Sequence, residues 1–543
     1  MKSRFRFSLV VVLLSLLASL FVLLTPIPEP ISDDFSAVSA AAYIQQIALE
    51  PHSVFDEEAH ETVRLYLKDQ LTELLGAQNV REIDYTADEV GSDYPIRNLL
   101  GVIPGTSDTA IMLVAHYDSR GHIGRMGELG GSYGAADDGY GVATILELAR
   151  VYADRTDLEN TIMFLITDGE ETGLYGAEMV TQNEQELMDQ VGFVINLEAR
   201  GIEGPAYMFE TSKNNEKIID FYRNASYPVS YSIATAVYTV MPNMTDFTEF
   251  LAIGKQGINF AVLDSLYYYH TPRDNFTNID LSSLQHYGAQ VAPLVEEFAT
   301  NAVYSDVHYF EGEQDQVFFT LFPNVFVSYT DTVATVLHVL VLLGVIAFLI
   351  FGIVQKKIKP LAVLKQFGMI LLSLVVVGIA GVYLSKLIAF LGRTSWSLTY
   401  VRMENTELPT LFLMVGTLLG LFFLYRRFVE KNQEQKEFLF AASLFLALLA
   451  FLTGVVLSGA SFLFFVPSLF GLIYLIFQQF NAKMLWKRIL FVVSTLILML
   501  IAVPLLYSLF LALTVGGLAA LFAIMLFYLI VLIPIFVNEA YSM

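Results

Sequence analysis

The sequence predicts two structural classes in one chain: an α/β domain, in which a mixed β-sheet is sandwiched by helices, and an all-α region of several membrane spans. Three observations predict them. Strand-like and helix-like segments alternate between residues 98 and 263, acidic and basic residues are segregated along the chain, and long apolar runs recur near both ends. Of the 543 residues, 55% are hydrophobic and 16% are charged. This composition lies between those of soluble and bilayer proteins, so both solvents are involved.

The charge distribution separates the two regions. Residues 26–330 contain 47 acidic and 14 basic residues, whereas the rest of the chain contains 7 acidic and 17 basic residues. An acidic segment of about 300 residues is long enough for one large core, and its field would repel nucleic acid, so no nucleic-acid partner is expected. The absence of cysteine excludes disulfide scaffolds, thiol catalysis and cysteine-ligated zinc. Any metal must be bound by histidine and carboxylate side chains.

The N-terminus predicts a retained membrane anchor at 7–25. Lys2, Arg4 and Arg6 precede an uncharged apolar run that is long enough to span a bilayer. The run is longer than the apolar region of a cleaved signal peptide, which is the alternative. Because basic flanks stay inside, we expect residues 1–6 in the cytoplasm and the domain at 33–315 outside it.

Seven further apolar runs predict about seven transmembrane helices within 332–537, at 332–354, 367–391, 408–425, 437–457, 461–478, 489–508 and 514–537. The three loops that are rich in lysine and arginine all fall on the cytoplasmic side when the N-terminus does. We expect a connector at 316–331 and a cytoplasmic tail at 538–543. His338 and Lys386 lie within two turns of outer helix ends, so their side chains can reach the interface. Transport sites usually contain ionisable residues near the middle of the membrane. These apolar runs show none there, so a transport role is not supported.

The acidic region alternates apolar strands with amphipathic helices. Strands are predicted at Asn98–Pro104, Thr109–His116, Thr161–Thr167, Val191–Leu197 and Gly257–Leu263, and helices at Asp138–Ala153 and Leu174–Met188. This alternation favours a mixed or parallel sheet with helices on both faces. Functional residues are then expected where the strands end.

Polar residues do cluster at those ends. His116 and Asp118 point to the same face of an extended chain, so one could bind a metal while the other orients it, although a structural role is the commoner explanation for such a pair. Asp137 and Asp138 are flanked by glycines at the start of a helix. They could cap that helix, or one carboxylate could bridge two cations.

Three more acids and a second histidine follow. Glu170 and Glu171 leave a buried strand together, which suits metal-assisted hydrolysis if one binds a metal and the other removes a proton from water, although a solvated acidic turn looks the same. Glu198 ends the next strand, and His270 follows three tyrosines. Five candidate ligands in this order are unlikely to arise independently, and they form a nitrogen and oxygen set suited to two zinc ions: His116, Asp137, Glu171, Glu198 and His270.

Five stretches carry a family resemblance: AHYDS, GAADDGYGVATILELAR, FLITDGEETGLYGA, NLEARG and YYYHTPRDN. In this order they resemble the co-catalytic zinc exopeptidases of clan MH, which include bacterial leucyl aminopeptidases and glutamate carboxypeptidase. The resemblance covers roughly residues 40–300. The layout of anchor, domain and multi-span region is similar to that of the endoplasmic reticulum metallopeptidase and vacuolar membrane protease group.

The resemblance implies a role for each site residue. His116, Asp137 and Glu198 would hold one zinc ion, and Asp137, Glu171 and His270 the other. It further implies that Glu170 is the general base, that Asp118 supports His116, that the hydroxyl of Tyr269 stabilises an oxyanion, and that the peptide bond between Asp137 and Asp138 is cis. Glu198 stands where many members have aspartate.

The expected function is that of a membrane-anchored zinc aminopeptidase acting on extracytoplasmic peptides. Carboxypeptidase or amidohydrolase action at the same site is an alternative. Substrates with and without a free α-amine would distinguish these activities, because only an aminopeptidase requires that amine. A non-catalytic receptor or adaptor is a second alternative, which the complete ligand set disfavours. The chain suits a bacterial cell membrane, with a vacuolar or endoplasmic reticulum membrane and a lumenal domain as the alternative.

Overall fold

The computed structural model of the chain describes residues 2–121, 131–238, 243–398, 401, 412–417, 435–480 and 482–541, together with residues 408, 410, 419, 420, 423 and 427. The chain divides into two compact units. The globular unit is Leu24–Asp315, and the helical unit combines Met1–Leu23 with Gln316–Met543. The predicted combination of an α/β domain with an all-helical region is confirmed.

The globular unit is built on a seven-stranded mixed sheet of order β1-β2-β4-β3-β5-β7-β6. The strands are β1 Val80–Tyr85, β2 Ile96–Ile103, β3 Ser107–His116, β4 Asn160–Thr167, β5 Val191–Ala199, β6 Glu203–Thr211 and β7 Gly257–Asp264. The four central strands, β4, β3, β5 and β7, run parallel, while β1, β2 and β6 are antiparallel to their neighbours. The carboxyl ends of the four central strands therefore lie along one edge of the sheet.

Helices cover the sheet. In chain order they are Ala37–Ile47, Glu57–Leu75, Ala87–Val90, Gly139–Tyr152, Glu170–Gly173, Tyr175–Asn183, Gln185–Gln190, Glu216–Tyr222, Ser232–Tyr238, Asp246–Ala252 and Leu281–Thr300. The single helix expected at Leu174–Met188 is wrong, because two helices occupy this stretch. Leu174 has a left-handed backbone (φ 61°) before the first, and Glu184 leaves the helical conformation between them.

The central strands account for the clean prediction of the sheet. Every residue of β4 and of β5 is buried, as expected for strands covered on both faces. Their apolar runs fill the layer between sheet and helices with Val, Ile, Leu and Phe. Charged side chains are concentrated where these runs stop, which restricts the site to one edge of the sheet.

The helical unit contains six segments that are long and apolar enough to cross a membrane, counted over the described residues: Arg6–Leu23, Asp331–Val354, Pro360–Leu391, Gln435–Val456, Phe462–Gln479 and Met484–Val537. The last holds two helices, Met484–Leu513 and Leu518–Tyr541, separated by a turn. In the expected span at 408–425 the described residues are helical, and residues 409, 411, 418, 421, 422, 424 and 425 lie outside the described residues, as do the last two residues of the expected tail at 538–543. Residues 316–331, expected as a connector, contain an antiparallel hairpin of Gln316–Phe322 and Val325–Thr330.

The two polar side chains expected near the membrane interface differ in exposure. Lys386 is exposed, and its ammonium lies 4.6 Å from the centre of the Trp396 ring, an arrangement typical of a membrane interface. His338 is only 1% exposed and packs against Phe465, with ring centres 5.4 Å apart. The expectation that His338 reaches the interface is therefore wrong. Gly454 leaves room for its ring, since a Cβ there would lie 2.6 Å from Nδ1.

Candidate metal centre

All five predicted ligands lie at the carboxyl edge of the parallel strands. His116 is the last residue of β3, and Glu198 is next to last in β5. Glu171 follows β4, and His270 follows β7. Asp137 precedes the helix Gly139–Tyr152, in the connection after β3. Residues far apart in the sequence meet here because the four strands point the same way.

The five side chains form two groups that share Asp137. In the first group, His116 Nε2 lies 3.4 Å from Oδ1 of Asp137 and 3.8 Å from Oε2 of Glu198. In the second group, His270 Nε2 lies 3.2 Å from Oδ2 of Asp137 and 2.9 Å from Oε1 of Glu171. Within each group the potential ligand atoms all lie within 4.8 Å of one another. Asp137 therefore offers one oxygen to each group.

The polar atoms that face each other here are unsatisfied. His116 Nε2, His270 Nε2, Asp137 Oδ2 and Glu171 Oε1 are buried and form no hydrogen bond with any described residue. Buried polar atoms almost always have a partner. A cation that prefers nitrogen and oxygen ligands would supply it to all four, so the residues fit zinc.

The charges of the site are strongly coupled. Burial acts to raise the pKa of Asp137, but the facing imidazoles of His116 and His270 outweigh it and hold this pKa below its ordinary value. Burial acts to lower the pKa of His270, yet Glu171 and Asp137 raise it to about 9. Burial raises the pKa of Glu198 well above its ordinary value. The carboxylates of the site therefore stabilise positive charge that is placed among them.

Asp118 supports more of the site than the sequence indicates. The nearest partner of His116 Nδ1 is the main-chain oxygen of Asp118, at 2.9 Å, while the Asp118 carboxylate is 3.4 Å away. That carboxylate also accepts hydrogen bonds from the backbone N–H groups of Glu170 (3.0 Å) and Glu171 (3.2 Å). Asp118 thus orients the first histidine and the acidic turn together.

Glu170 and Tyr269 lie beside these groups without belonging to either. Glu170 is half-buried, and burial followed by the negative charge of Glu198 raises its pKa well above the ordinary value. The Tyr269 ring stacks on His270, with ring centres 3.6 Å apart. Burial and the charge of Asp137 raise the pKa of Tyr269, so its hydroxyl keeps its proton.

The adjacent aspartates divide two tasks. Asp138 accepts a hydrogen bond from the backbone N–H of Gly141 at 3.1 Å and so caps the helix that follows. Asp137 is left to face the two histidines. The peptide bond between them is cis, as the family resemblance implies. The structure therefore assigns helix capping to Asp138 and leaves the carboxylate of Asp137 facing both histidines.

A row of buried amides supports Glu198. Asn196, two residues earlier on the same face of β5, donates to Oε1 of Glu198 at 3.4 Å and to Oδ1 of Asn259 at 3.1 Å. Asn259, on the neighbouring strand β7, donates to Glu210 at 3.0 Å. Burial raises the pKa of Glu210 to about 7. The row holds one oxygen of Glu198 and leaves the other towards His116.

Sequence reasoning missed a further carboxylate, Asp274. It is 1% exposed, and it accepts hydrogen bonds from the backbone N–H groups of Ala136 (2.7 Å) and Asp137 (3.2 Å) and from the Ser132 hydroxyl (3.1 Å). It thereby connects the loop of His270 to the loop of Asp137. The stretch YYYHTPRDN contains Asp274, but nothing in the sequence indicates which backbone groups it binds.

A comparison with family models gives a match to one peptidase family. The model described as Peptidase family M28 matches residues 98–295, a stretch that contains all eight predicted site residues. Over these residues the chain is similar to the M28 peptidases. The expected resemblance to co-catalytic zinc exopeptidases is confirmed.

The curated relatives of this chain include proteins named as membrane proteases. A vacuolar membrane protease of Clavispora lusitaniae is 27% identical over 335 residues, which cover 58% of this chain and 31% of that protein. Endoplasmic reticulum metallopeptidase 1 of Mus musculus is 26% identical over 268 residues, covering 48% and 28%. The chain thus spans about a third of the length of these relatives.

Solved structures similar to this chain include a Zn-dependent exopeptidase from Parabacteroides distasonis, 22% identical, with a TM-score of 0.39 and coverage of 48% of this chain and 98% of that one. Another is an aminopeptidase from an Aneurinibacillus strain, 13% identical, with a TM-score of 0.39 and coverage of 49% and 96%.

We expect Asp274→Asn to weaken zinc binding at both groups, by about 10- to 100-fold, because the amide cannot accept hydrogen bonds at both positions and the loop of the shared Asp137 loses its support. Zinc affinity of the full chain, measured by competition with a chelating dye, tests this. Asp280→Asn is the matched control, because Asp280 caps a helix and asparagine caps as well. Unchanged zinc affinity in Asp274→Asn would contradict the role assigned to Asp274.

Proposed function

We propose that this protein is a membrane-anchored zinc aminopeptidase that holds two zinc ions and hydrolyses peptides outside the cytoplasm. One observation carries the proposal. Two groups of potential ligands share Asp137, and of the two neighbouring glutamates one belongs to a group and the other does not. This is the division between binding a metal and moving a proton that metal-assisted hydrolysis requires.

The chemistry follows from where each side chain lies. Zinc at these two groups would polarise the scissile carbonyl and make water a stronger acid. Glu170 accepts the proton of the attacking water and returns it to the leaving amine, for which a carboxylate with a raised pKa is suited. Asp118 fixes the backbone of Glu170, so the base stays at one position. Tyr269 keeps its proton and donates a hydrogen bond to the developing oxyanion.

The charge of the site supports a substrate with a free α-amine. Besides the ligand carboxylates of Asp137, Glu171 and Glu198, five further acids lie in or around the site and make its surroundings acidic: Asp118, Asp138, Glu170, Asp246 and Asp274. A protonated amine is attracted to such a site, and a C-terminal carboxylate is repelled. This favours aminopeptidase over carboxypeptidase action. A receptor without catalysis is disfavoured because both ligand groups and Glu170 are present.

The proposed location is a membrane with the globular unit on the non-cytoplasmic side. The basic loops of the helical unit and the basic N-terminus support this orientation. The relatives are named for the vacuolar membrane and the endoplasmic reticulum, which supports the alternative in which the domain is lumenal. The expected bacterial membrane has no such support.

Glu170→Gln should lower kcat at least about 100-fold while zinc content and the unfolding temperature stay as in the parent, because only proton transfer is lost. Glu171→Gln is the matched control: it changes the neighbouring acid in the same way but should lower zinc content. The assay is release of the N-terminal residue from peptides with free and acetylated N-termini. A Glu170→Gln protein with most of the parent activity would contradict the mechanism, and cleavage of acetylated peptides would contradict aminopeptidase action.

Zinc binding should release protons and weaken as pH falls. With a pKa of about 9, His270 carries a proton at neutral pH in the metal-free protein, and zinc must displace it. The affinity should fall about tenfold per pH unit for each displaced proton between about pH 8 and 6. Calorimetry in two buffers with different heats of ionisation measures the proton release. His308→Ala, which removes an exposed histidine paired with Glu311, should not change it; zinc binding without proton release would contradict the assignment of His270.

The orientation can be tested in sealed membrane vesicles of known sidedness. A protease added to the cytoplasmic face should cut the basic loop near residues 356–365 and leave the globular unit intact, because the proposed orientation puts the two on opposite sides of the membrane. Opening the vesicles with detergent should then expose the domain. Digestion of the domain from the cytoplasmic face of sealed vesicles would contradict the proposed orientation.

A further inference from the structure

A cation lies directly against one of the proposed metal ligands. Nη1 of Arg120 donates to the main-chain oxygen of Glu171 and, at 3.1 Å, to Oε2 of its carboxylate. The other carboxylate oxygen, Oε1, lies 2.9 Å from His270 Nε2 and forms no hydrogen bond within the described part of the chain. The two oxygens of Glu171 are therefore distinguished: one is held by Arg120, and one faces the second group.

The backbone of Arg120 is also held by a hydrogen bond. Its side chain is 21% exposed, and its main-chain oxygen accepts a hydrogen bond from the backbone N–H of Ser132 at 2.8 Å. The Ser132 hydroxyl in turn donates to Asp274, which supports the loop of Asp137. The arginine thus belongs to the same hydrogen-bonded network that positions the shared carboxylate.

The first group has a different support. Asp118 holds His116 through its main-chain oxygen, and Asn196 holds Glu198 through its side-chain amide. Arg120 contacts neither of these ligands through a hydrogen bond or ion pair among the described residues. An effect of Arg120 on metal binding should therefore be confined to the second group, except for what passes through Asp137.

We propose that Arg120 is a positioning residue for Glu171. It fixes the carboxylate by Oε2 and by the main chain, so that Oε1 alone faces the ion of the second group. This inference rests on the proposed function, because it assigns a role towards zinc in that group. A carboxylate with a fixed orientation loses less side-chain entropy when the ion binds, and hydrogen-bond partners of metal ligands typically contribute 10- to 100-fold to metal affinity.

The test compares Arg120→Met and Arg120→Lys in the full chain, purified in detergent and stripped of metal. Zinc alone is the probe, titrated against a chelating dye. The parent should bind two zinc ions. In Arg120→Met one of the two should bind at least about tenfold more weakly while the other is unchanged, and Arg120→Lys should recover part of the loss because its ammonium can still donate to Oε2.

Arg150→Met is the matched control, because Arg150 forms an ion pair with the buried Glu147 away from the ligands. Loss of this ion pair should change the stability of the protein without making the two zinc affinities differ from each other. Two ions held as tightly in Arg120→Met as in the parent would overturn the inference. Tighter binding of one ion would also overturn it, since Arg120 would then act by charge repulsion. Equal weakening of both ions with a lowered unfolding temperature of the metal-free protein would show a general structural role instead. A parent that binds no zinc would overturn the proposed function itself.

Discussion

The site depends on one carboxylate facing two imidazoles. Asp137 presents one oxygen to His116 and the other to His270, and the remaining ligands complete a group on each side of it. Within each group the carboxylate oxygens lie within 4.8 Å of one another, and their like charges would destabilise the fold unless cations or protons compensate them. The hydrogen bonds of Asp274 and the ring stacking of Tyr269 on His270 therefore serve one purpose: they keep Asp137 and its partners at fixed positions until positive charge arrives.

The fold makes this arrangement possible. Parallel strands bring residues from separate βα units to one edge, so a histidine, an acidic turn and a second acid meet although the chain leaves the sheet between them. Because the strands are covered on both faces, charged side chains have no other place near the centre of the sheet. The polar row that runs from Glu198 through Asn196 and Asn259 to Glu210 is an exception, and its members pair with one another.

The sequence predicted the parts in which local composition and tertiary structure agree. The central strands are uninterrupted apolar runs, and their bounds follow from where polar residues begin. The edge strands β1 and β6 were not predicted, because their side chains alternate between solvent and core or are mixed in character. The break at Glu184 divides the predicted helix Leu174–Met188 in two, and no glycine or proline at that position marks it.

The site shows the same division. Ligand types and order were visible in the sequence, since each ligand follows an apolar strand. The hydrogen bonds of Asp274 with the loop of Asp137, and of Arg120 with Glu171, join residues tens of positions apart through backbone atoms. Such contacts leave no periodic pattern. The burial of His338 was missed for a related reason: the helix position suggested an interface, but Gly454 on another helix provides space for the ring.

The central claim is that two metal ions share Asp137. Zinc-edge X-ray absorption of the purified, zinc-loaded full chain tests it most directly. We expect nitrogen and oxygen neighbours without sulfur, together with a second zinc scatterer at about 3.5–4 Å. Spectra that fit an isolated zinc ion, with no second zinc at that distance in protein loaded to saturation, would contradict it.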